Sequence, residues 1–387
     1  MIQDIAADSR VQEKLAAIAT NWPDVVAEAI DIQQVPSPTF DEEERAQWVE
    51  ARMVEAGFAS CSRDEINNVY GLIPGESSDQ TVVVSAHLDT VFPPHTDLRV
   101  RRENGRVHGP GISDNSLGVA GLLALGRYLL ESEISLSSDV WLAANVGEEG
   151  LGNLRGMRAV AERFGDMAQY IVLEGGVFGH IFHAGIGVRR YEVTVTAPGG
   201  HSWGNFGNSS AIHCLGQMIA RISQLKTPRQ PKTTFNVGQI EGGTSVNSIA
   251  QRASMLLDLR SEDDSALEQL IAMIEGIAQD YASLPDVEVT MKVVGDRPSG
   301  SIPRNSSLVH LATEALHYVG CETISYDKGS TDANVPLSRG WSSVCIGLTQ
   351  SANAHRLDEY METEPLASGL IQLFLLTVAA AGIKGST

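Results

Sequence analysis

Residues 81–86, Thr-Val-Val-Val-Ser-Ala, form a short β-branched apolar run that stops abruptly at His87-Leu88-Asp89. A run of this kind predicts a strand buried on both faces, as found inside a parallel sheet. Such a strand can carry chemistry only at its end. In extended backbone alternate side chains share a face, so His87 and Asp89 are expected to point one way and Leu88 back into protein. An imidazole whose other ring nitrogen donates to a carboxylate is a well-oriented metal ligand. A buried His paired with Asp for purely structural reasons fits the same local pattern equally well.

The pattern recurs. Residues 139–146 read as a second buried strand and run into Gly147-Glu148-Glu149-Gly150, and Tyr170-Ile171-Val172-Leu173 runs into Glu174-Gly175-Gly176. A loop from Phe92 to Ser113, rich in Gly, Pro and charge, delivers Asp114-Asn115 to the start of a helix carrying Val119, Leu122, Leu123 and Leu130, which makes Asp114 either a cap or a rigidly held ligand. His355 follows a strand at 343–348, with Asp358 and Glu359 behind it. In a parallel sheet the C-terminal strand ends line one edge, where open α/β proteins place their sites. Helices are expected at 23–34, from Asp41 to Gly57, at 305–319, and after Leu366.

From about residue 187 the period changes. Tyr191, Val193, Val195 and Ala197 alternate with Arg190, Glu192, Thr194 and Thr196, as in a half-exposed strand. A helix at 209–224, strands at 233–240 and 252–260, a helix carrying Leu267, Leu270, Ile274 and Tyr281, and a strand carrying Val287, Val289, Met291 and Val293 complete a βαββαβ order, that of a ferredoxin-like layer. The expected organisation is therefore an α/β catalytic domain, with a mostly parallel sheet, formed by residues 1–186 and 296–387. Residues 187–295 are read as a complete α+β domain inserted into it. A length of 387 residues suits two such cores.

The formal net charge of −20 argues against nucleic-acid and anionic-membrane partners, which select for basic surfaces. Cys61, Cys214, Cys321 and Cys345 show no metal-finger spacing and read as free thiols of a reducing compartment. The first ten residues lack a basic segment followed by an apolar one, so a cytoplasmic location is expected. The apolar stretch 366–383 is interrupted by Ser368, Gln372, Thr377 and glycines and reads as a core helix rather than a membrane span.

Collected, the strand-end groups are His87, Asp114, Glu149, Glu174 and His355, with Asp89 and Glu148 left over. Two imidazoles and three carboxylates suit two zinc-like divalent ions if Asp114 bridges them and each ion takes one His and one Glu. Cobalt and manganese are the alternatives to zinc. Glu148 is then free to act as a base on a water activated by the metal pair.

These residues resemble the M20 metallopeptidases, the group that includes carboxypeptidase G, aminoacylase and succinyl-diaminopimelate desuccinylase. The likeness runs over nearly the whole chain and rests on Ala86-His87-Leu88-Asp89-Thr90, Gly109 to Asn115, Gly147-Glu148-Glu149-Gly150, Leu173-Glu174, Pro198-Gly199-Gly200-His201-Ser202, Leu257-Asp258-Leu259-Arg260, Ser330-Thr331-Asp332-Ala333-Asn334 and His355 to Glu359. The resemblance implies a zinc-peptidase-like core with a lid domain. It implies His87, Asp114 and Glu174 at one ion, Asp114, Glu149 and His355 at the other, Asp89 behind His87, and Glu148 as general base and acid. It also implies that Arg260 and Asn247 contact substrate, a guanidinium suiting a terminal carboxylate; pairing of Arg260 with Asp258 or Glu262 is the plain alternative. Two departures stand out. Trp203 follows the lid His-Ser, and Lys328 replaces a glycine; either change can reshape a substrate pocket, and the plain expectation is a packed aromatic and a solvated loop charge.

The expected activity is hydrolysis of an amide or peptide bond next to a free carboxylate, in a small peptide or an N-acyl amino acid. A carbamoylase-type amidase of the same fold is the nearest rival, although such enzymes take a His ligand near Glu174 and Val172-Leu173 offers none. A catalytically silent binding protein is the rival from another class. In resembling enzymes the lids pair between subunits, which implies a homodimer in which His201 acts across the interface on the developing oxyanion. The lid's outward strand and helix 209–224 are the candidates for that contact.

Overall fold

The computed structural model describes residues 1–384 and divides into two compact units, Met1–Gly185 with the chain from Gly300 onward, and Ile186–Ser299. The first unit is built on a nine-stranded mixed sheet. At its centre Ser138–Asn145, Ser77–His87, Ala168–Glu174 and Ser343–Gly347 lie side by side and run parallel. Antiparallel strands continue the sheet on both sides, Ser60–Arg63 and Val69–Ile73 on one and His180–Gly185 and Gly300–Ser301 on the other, and Ser325–Gly329 adds a parallel pairing to His180–Gly185. Val82, Val83, Val84 and Ala86 are fully buried, so the β-branched run is covered on both faces.

Helices Gly118–Leu130 and Leu366–Ala381 pack on the Ser77–His87 strand, and both also pack against Ser9–Gln33. The last is longer than the sequence suggests. Pro23 lies inside it, although proline ordinarily marks a helix start. Leu366–Ala381 is buried along most of its length, and no described helix is long and apolar enough to cross a membrane. The four cysteines are free. Arg101–Glu103, Arg106–His108, Tyr360–Glu362 and Ser351–Ala352 form a small antiparallel sheet of their own, which short charged segments gave no periodic sign of.

The second unit is a four-stranded antiparallel sheet in the order Thr233–Gly242, Arg252–Ser261, Gly187–Thr196, Glu288–Arg297. Helices Ala211–Ile222 and Asp264–Ala282 bury Leu215, Met218, Leu270 and Ile274 in a core shared with Val193, Val195, Leu257 and Leu259. This is the split βαββαβ arrangement. Beyond the sheet, Gly200–His201 pairs antiparallel with Ser248–Ile249 in a separate two-stranded ladder. Trp203 is not a packed aromatic: it is 88% exposed, because the chain turns tightly after His201 and carries the indole away from the core. Lys328 lies exposed in the short strand Ser325–Gly329.

Candidate metal centre

Parallel pairing brings the ends of Ser77–His87, Ser138–Asn145 and Ala168–Glu174 to one edge of the first unit's sheet. There His87 Nε2 lies 3.1 Å from Asp114 Oδ1 and 3.7 Å from Glu174 Oε2. On the other side His355 Nε2 lies 3.1 Å from Asp114 Oδ2 and 2.9 Å from Glu149 Oε1. Each triad, His87–Asp114–Glu174 and Asp114–Glu149–His355, has donor atoms within 4.8 Å of one another. Asp114 belongs to both and turns one oxygen toward each.

The loops that hold these groups are fastened through the backbone. Asp114 sits in a non-helical turn four residues before Gly118, where helix Gly118–Leu130 begins, rather than at its cap, Leu117. That turn is gathered by Glu359, whose carboxylate accepts the N–H groups of Gly111, Ser113 and Asp114 at 2.8–3.0 Å. The next residue, Asn115, donates to the carbonyl of Leu173 and accepts the N–H of Gly175, which ties the Asp114 turn to the Glu174 strand end. A Cβ on Gly175 would lie 2.0 Å from the Ser113 carbonyl oxygen, so only glycine allows this approach.

Asp89 lies behind His87 and also holds a second loop. His87 Nδ1 lies 3.0 Å from the Asp89 main-chain oxygen and 3.5 Å from its Oδ1. The Asp89 carboxylate accepts the main-chain N–H groups of Glu148 and Glu149, both at 2.9 Å, and the Thr39 hydroxyl at 2.8 Å. Buried Arg45 lies behind it and donates to the carbonyls of Leu88 and Val35, fixing the His87–Asp89 segment. Burial brings the Arg45 guanidinium down to about 10. Thr39 and Arg45 carry no local sequence signal; Asn115 and Glu359 stand inside the Gly109–Asn115 and His355–Glu359 stretches, but nothing local shows what they hold. Arg45, Asn115 and Glu359 are buried and Thr39 half-buried, each placed only when distant loops meet. Asp332, from the quoted Ser330–Asn334 segment, also faces this region: Asn145 Nδ2 donates to its Oδ2 at 2.7 Å, and burial followed by the Glu148 charge pushes the carboxyl up to about 8.

Without a cation the centre is crowded with acceptors. Burial first, then the Asp114 charge, pushes Glu149 up to about 8. Burial pushes Glu174 up to about 7, with Asp114 and Glu148 adding to the rise. Asp114 is held far below the usual carboxylate range, its burial outweighed by the two imidazoles. His355 is raised to about 11 by Asp114 and Glu149, and His87 is raised despite its burial by the same kind of contacts. Protons here occupy positions that a divalent ion would fill. A donor set of imidazole and carboxylate, with one shared carboxylate, fits two such ions. The Glu148 charge raises both Glu149 and Glu174, so its carboxylate lies within electrostatic reach of both triads while being a member of neither.

The remaining predicted residues lie in the second unit. His201 and Asn247 stand at one end of its small two-stranded ladder: Ser202 N donates to the Asn247 carbonyl at 3.0 Å, and the His201 and Asn247 side chains are exposed. Arg260 lies near the far end of the Arg252–Ser261 strand, about 27 Å beyond Arg252 at ~3.4 Å per residue. Its Nε donates to Asp258 at 2.7 Å, and Arg190 donates to the other oxygen of the same carboxylate. The ion pair weighed for Arg260 is therefore present, and one copy of this unit does not bring Arg260 and His201 together.

The model of peptidase family M20/M25/M40 matches residues 83–378. A putative succinyl-diaminopimelate desuccinylase of Mycobacterium tuberculosis is 26% identical over 327 residues, covering 81% of this chain and 84% of that protein. A tripeptidase structure from Staphylococcus aureus superposes with a TM-score of 0.77 at 19% identity, over 93% of this chain and 99% of the other. A hydantoinase/carbamoylase-family amidase from Burkholderia vietnamiensis gives 0.72 at 16% identity, over 93% and 97%. The last two are likenesses of fold.

Proposed function

The chain belongs to peptidase family M20/M25/M40, whose members hydrolyse peptide or amide bonds, and from that premise we propose that it is a dinuclear, zinc-dependent hydrolase cutting an amide or peptide bond next to a free carboxylate. The observation that carries this reading is Asp114, which turns one oxygen to each of two His–carboxylate triads. His87 and Glu174 would complete one site, His355 and Glu149 the other. Divalent ions held there would lower the pKa of water and polarise a carbonyl oxygen.

Glu148 is the general base and acid. Its main-chain N–H is tied to Asp89, which fixes where its carboxylate starts from, and that carboxylate takes a proton from the attacking water and returns it to the leaving amine nitrogen. Arg260, together with Asn247, recognises the substrate; a substrate carboxylate would compete with Asp258 for the Arg260 guanidinium. His201 donates to the oxygen that gains charge as the tetrahedral intermediate forms. The separation of His201 from Arg260 within one copy supports a homodimer in which His201 of one copy serves the site of the other, with Ile186–Ser299 as lid and dimerisation unit.

The test is turnover, with zinc or cobalt added, of dipeptides, N-acyl amino acids and N-carbamoyl amino acids, each also supplied as its C-terminal amide. Hydrolysis of the free acids and not of their amides supports this reading. Activity confined to N-carbamoyl substrates would move it to the carbamoylase type, and metal binding without turnover of any of them would make it a binding protein.

A further inference from the structure

The turn after His201 is organised around that ring. The N–H groups of Trp203 and Gly204 both donate to His201 Nδ1 at 3.2 Å. Asn205 closes the turn from the other side: its Oδ1 accepts the His201 N–H at 2.9 Å, and its own N–H donates to the His201 carbonyl at 2.9 Å. Asn208 Nδ2 then donates to the Gly199 carbonyl at 2.8 Å. The glycine before His201 makes room for this. Gly200 has φ +136, and a Cβ there would lie 2.8 Å from Asn205 Cβ and Oδ1.

Two donors aimed at Nδ1 need a lone pair there. Of the two neutral tautomers, only the one with its proton on Nε2 leaves Nδ1 free to accept; the other would set an N–H against two N–H groups. We infer that the turn presents His201 as the Nε2–H tautomer and that Asn205 is its positioning residue, gripping the His201 backbone on both sides. This rests on the reading above that His201 donates to the developing oxyanion, and it specifies which nitrogen donates. The ring is set before substrate arrives, so no tautomer exchange or rotation precedes donation. Trp203 enters through its main-chain N–H alone. Its exposed indole takes no part.

The tautomer can be read directly, without metal or turnover. In the full-length chain labelled with ¹⁵N-histidine, two-bond ¹H–¹⁵N correlations distinguish a protonated ring nitrogen from an accepting one, and His201→Ala identifies the signals of that ring. The expected spectrum has Nε2 protonated and Nδ1 accepting; a protonated Nδ1, or averaged tautomers, would overturn the inference. Asn205→Ala is expected to average the two nitrogens and lower kcat by about 10- to 100-fold with KM little changed, the scale of a catalytic group slightly misplaced. Asn205→Asp keeps the accepting oxygen and should recover both. Loss of kcat in His201→Ala beside an unaltered spectrum and kcat in Asn205→Ala would remove Asn205 from the role. Wild-type kcat in His201→Ala would sink the oxyanion reading itself, and the spectrum would still decide the tautomer.

Discussion

The carboxylate of Asp89 accepts the main-chain N–H of Glu148 at 2.9 Å, a hold on the turn carrying the proposed base that does not depend on which side chain stands at position 148. Glu148→Ala should therefore fold, keep both cation sites, and lose turnover. General acid–base groups contribute about 10²- to 10⁴-fold, and one that serves both water and leaving amine belongs at the upper end. Metal content by elemental analysis beside kcat tests this; a variant keeping a tenth of wild-type kcat would exclude Glu148 from the role.

Asp114 predicts a different signature. Because each of its oxygens faces a different imidazole at 3.1 Å, Asp114→Asn should weaken both sites together instead of emptying one. Titration with zinc or cobalt would show it. Unchanged stoichiometry and affinity would contradict the shared ligand.

The protons trapped in the metal-free centre make its stability fall as pH rises. Glu149 and Glu174 ionise at about 8 and about 7 in the folded chain, well above the usual carboxylate range, so between pH 5 and 8 the folded state holds protons that the unfolded state has released. His87 and His355 act in the same sense, being protonated when folded at pH values where a free imidazole is neutral. Asp114 has the opposite shift, felt only in acid. Chelator-treated protein should melt at a higher temperature at pH 5.5 than at 8.5, and added zinc should reduce or reverse that difference. A Tm that rises with pH in chelator would refute this proton count.

Much of the centre could be read from the chain because its ligands stand where apolar periodicity stops. His87 and Glu174 end buried strands, Glu148 and Glu149 follow one, and a parallel sheet puts such ends together whatever the loop details. What fastens them could not be read. Glu359 and Arg45 hold main-chain groups and Thr39 holds the Asp89 carboxylate, all far away in sequence, and a lone polar residue has no period to reveal it. Asp89 is half legible: strand alternation places it beside His87, whose Nδ1 lies 3.5 Å from its Oδ1, but the hydrogen bonds it accepts from a loop about sixty residues on have no local sign. Trp203 was assigned to a core from its side chain alone, where the surrounding Gly and Asn residues form a turn that holds it outside.

For Arg260, removal to Ala should raise KM for a free acid far more than for the matching amide. The Asp258 carboxylate that now accepts from Arg260 would keep Arg190 as partner, so the unit should stay folded. Equal effects on acid and amide would leave Arg260 as half of a surface ion pair.

The dimer proposal is tested by mixing. Glu148→Ala and His201→Ala chains, each inactive alone, should regain activity on subunit exchange, since some mixed dimers hold one site with both residues intact. Exchange demonstrated by mass, with no activity recovered, would rule out action between copies.

Glu359, which gathers the Asp114 turn, and His355, which completes the second triad, reach the ribosome exit only after the whole Ile186–Ser299 unit has been translated. At about 5–20 residues per second they follow His87 by an interval on the order of tens of seconds. Through that interval the three crowded carboxylates have one imidazole between them and an untethered turn. The central strands can pair early, but the second triad is a late product of synthesis, so a chain arrested within the inserted unit could fold a sheet and still lack the ligands for a second ion.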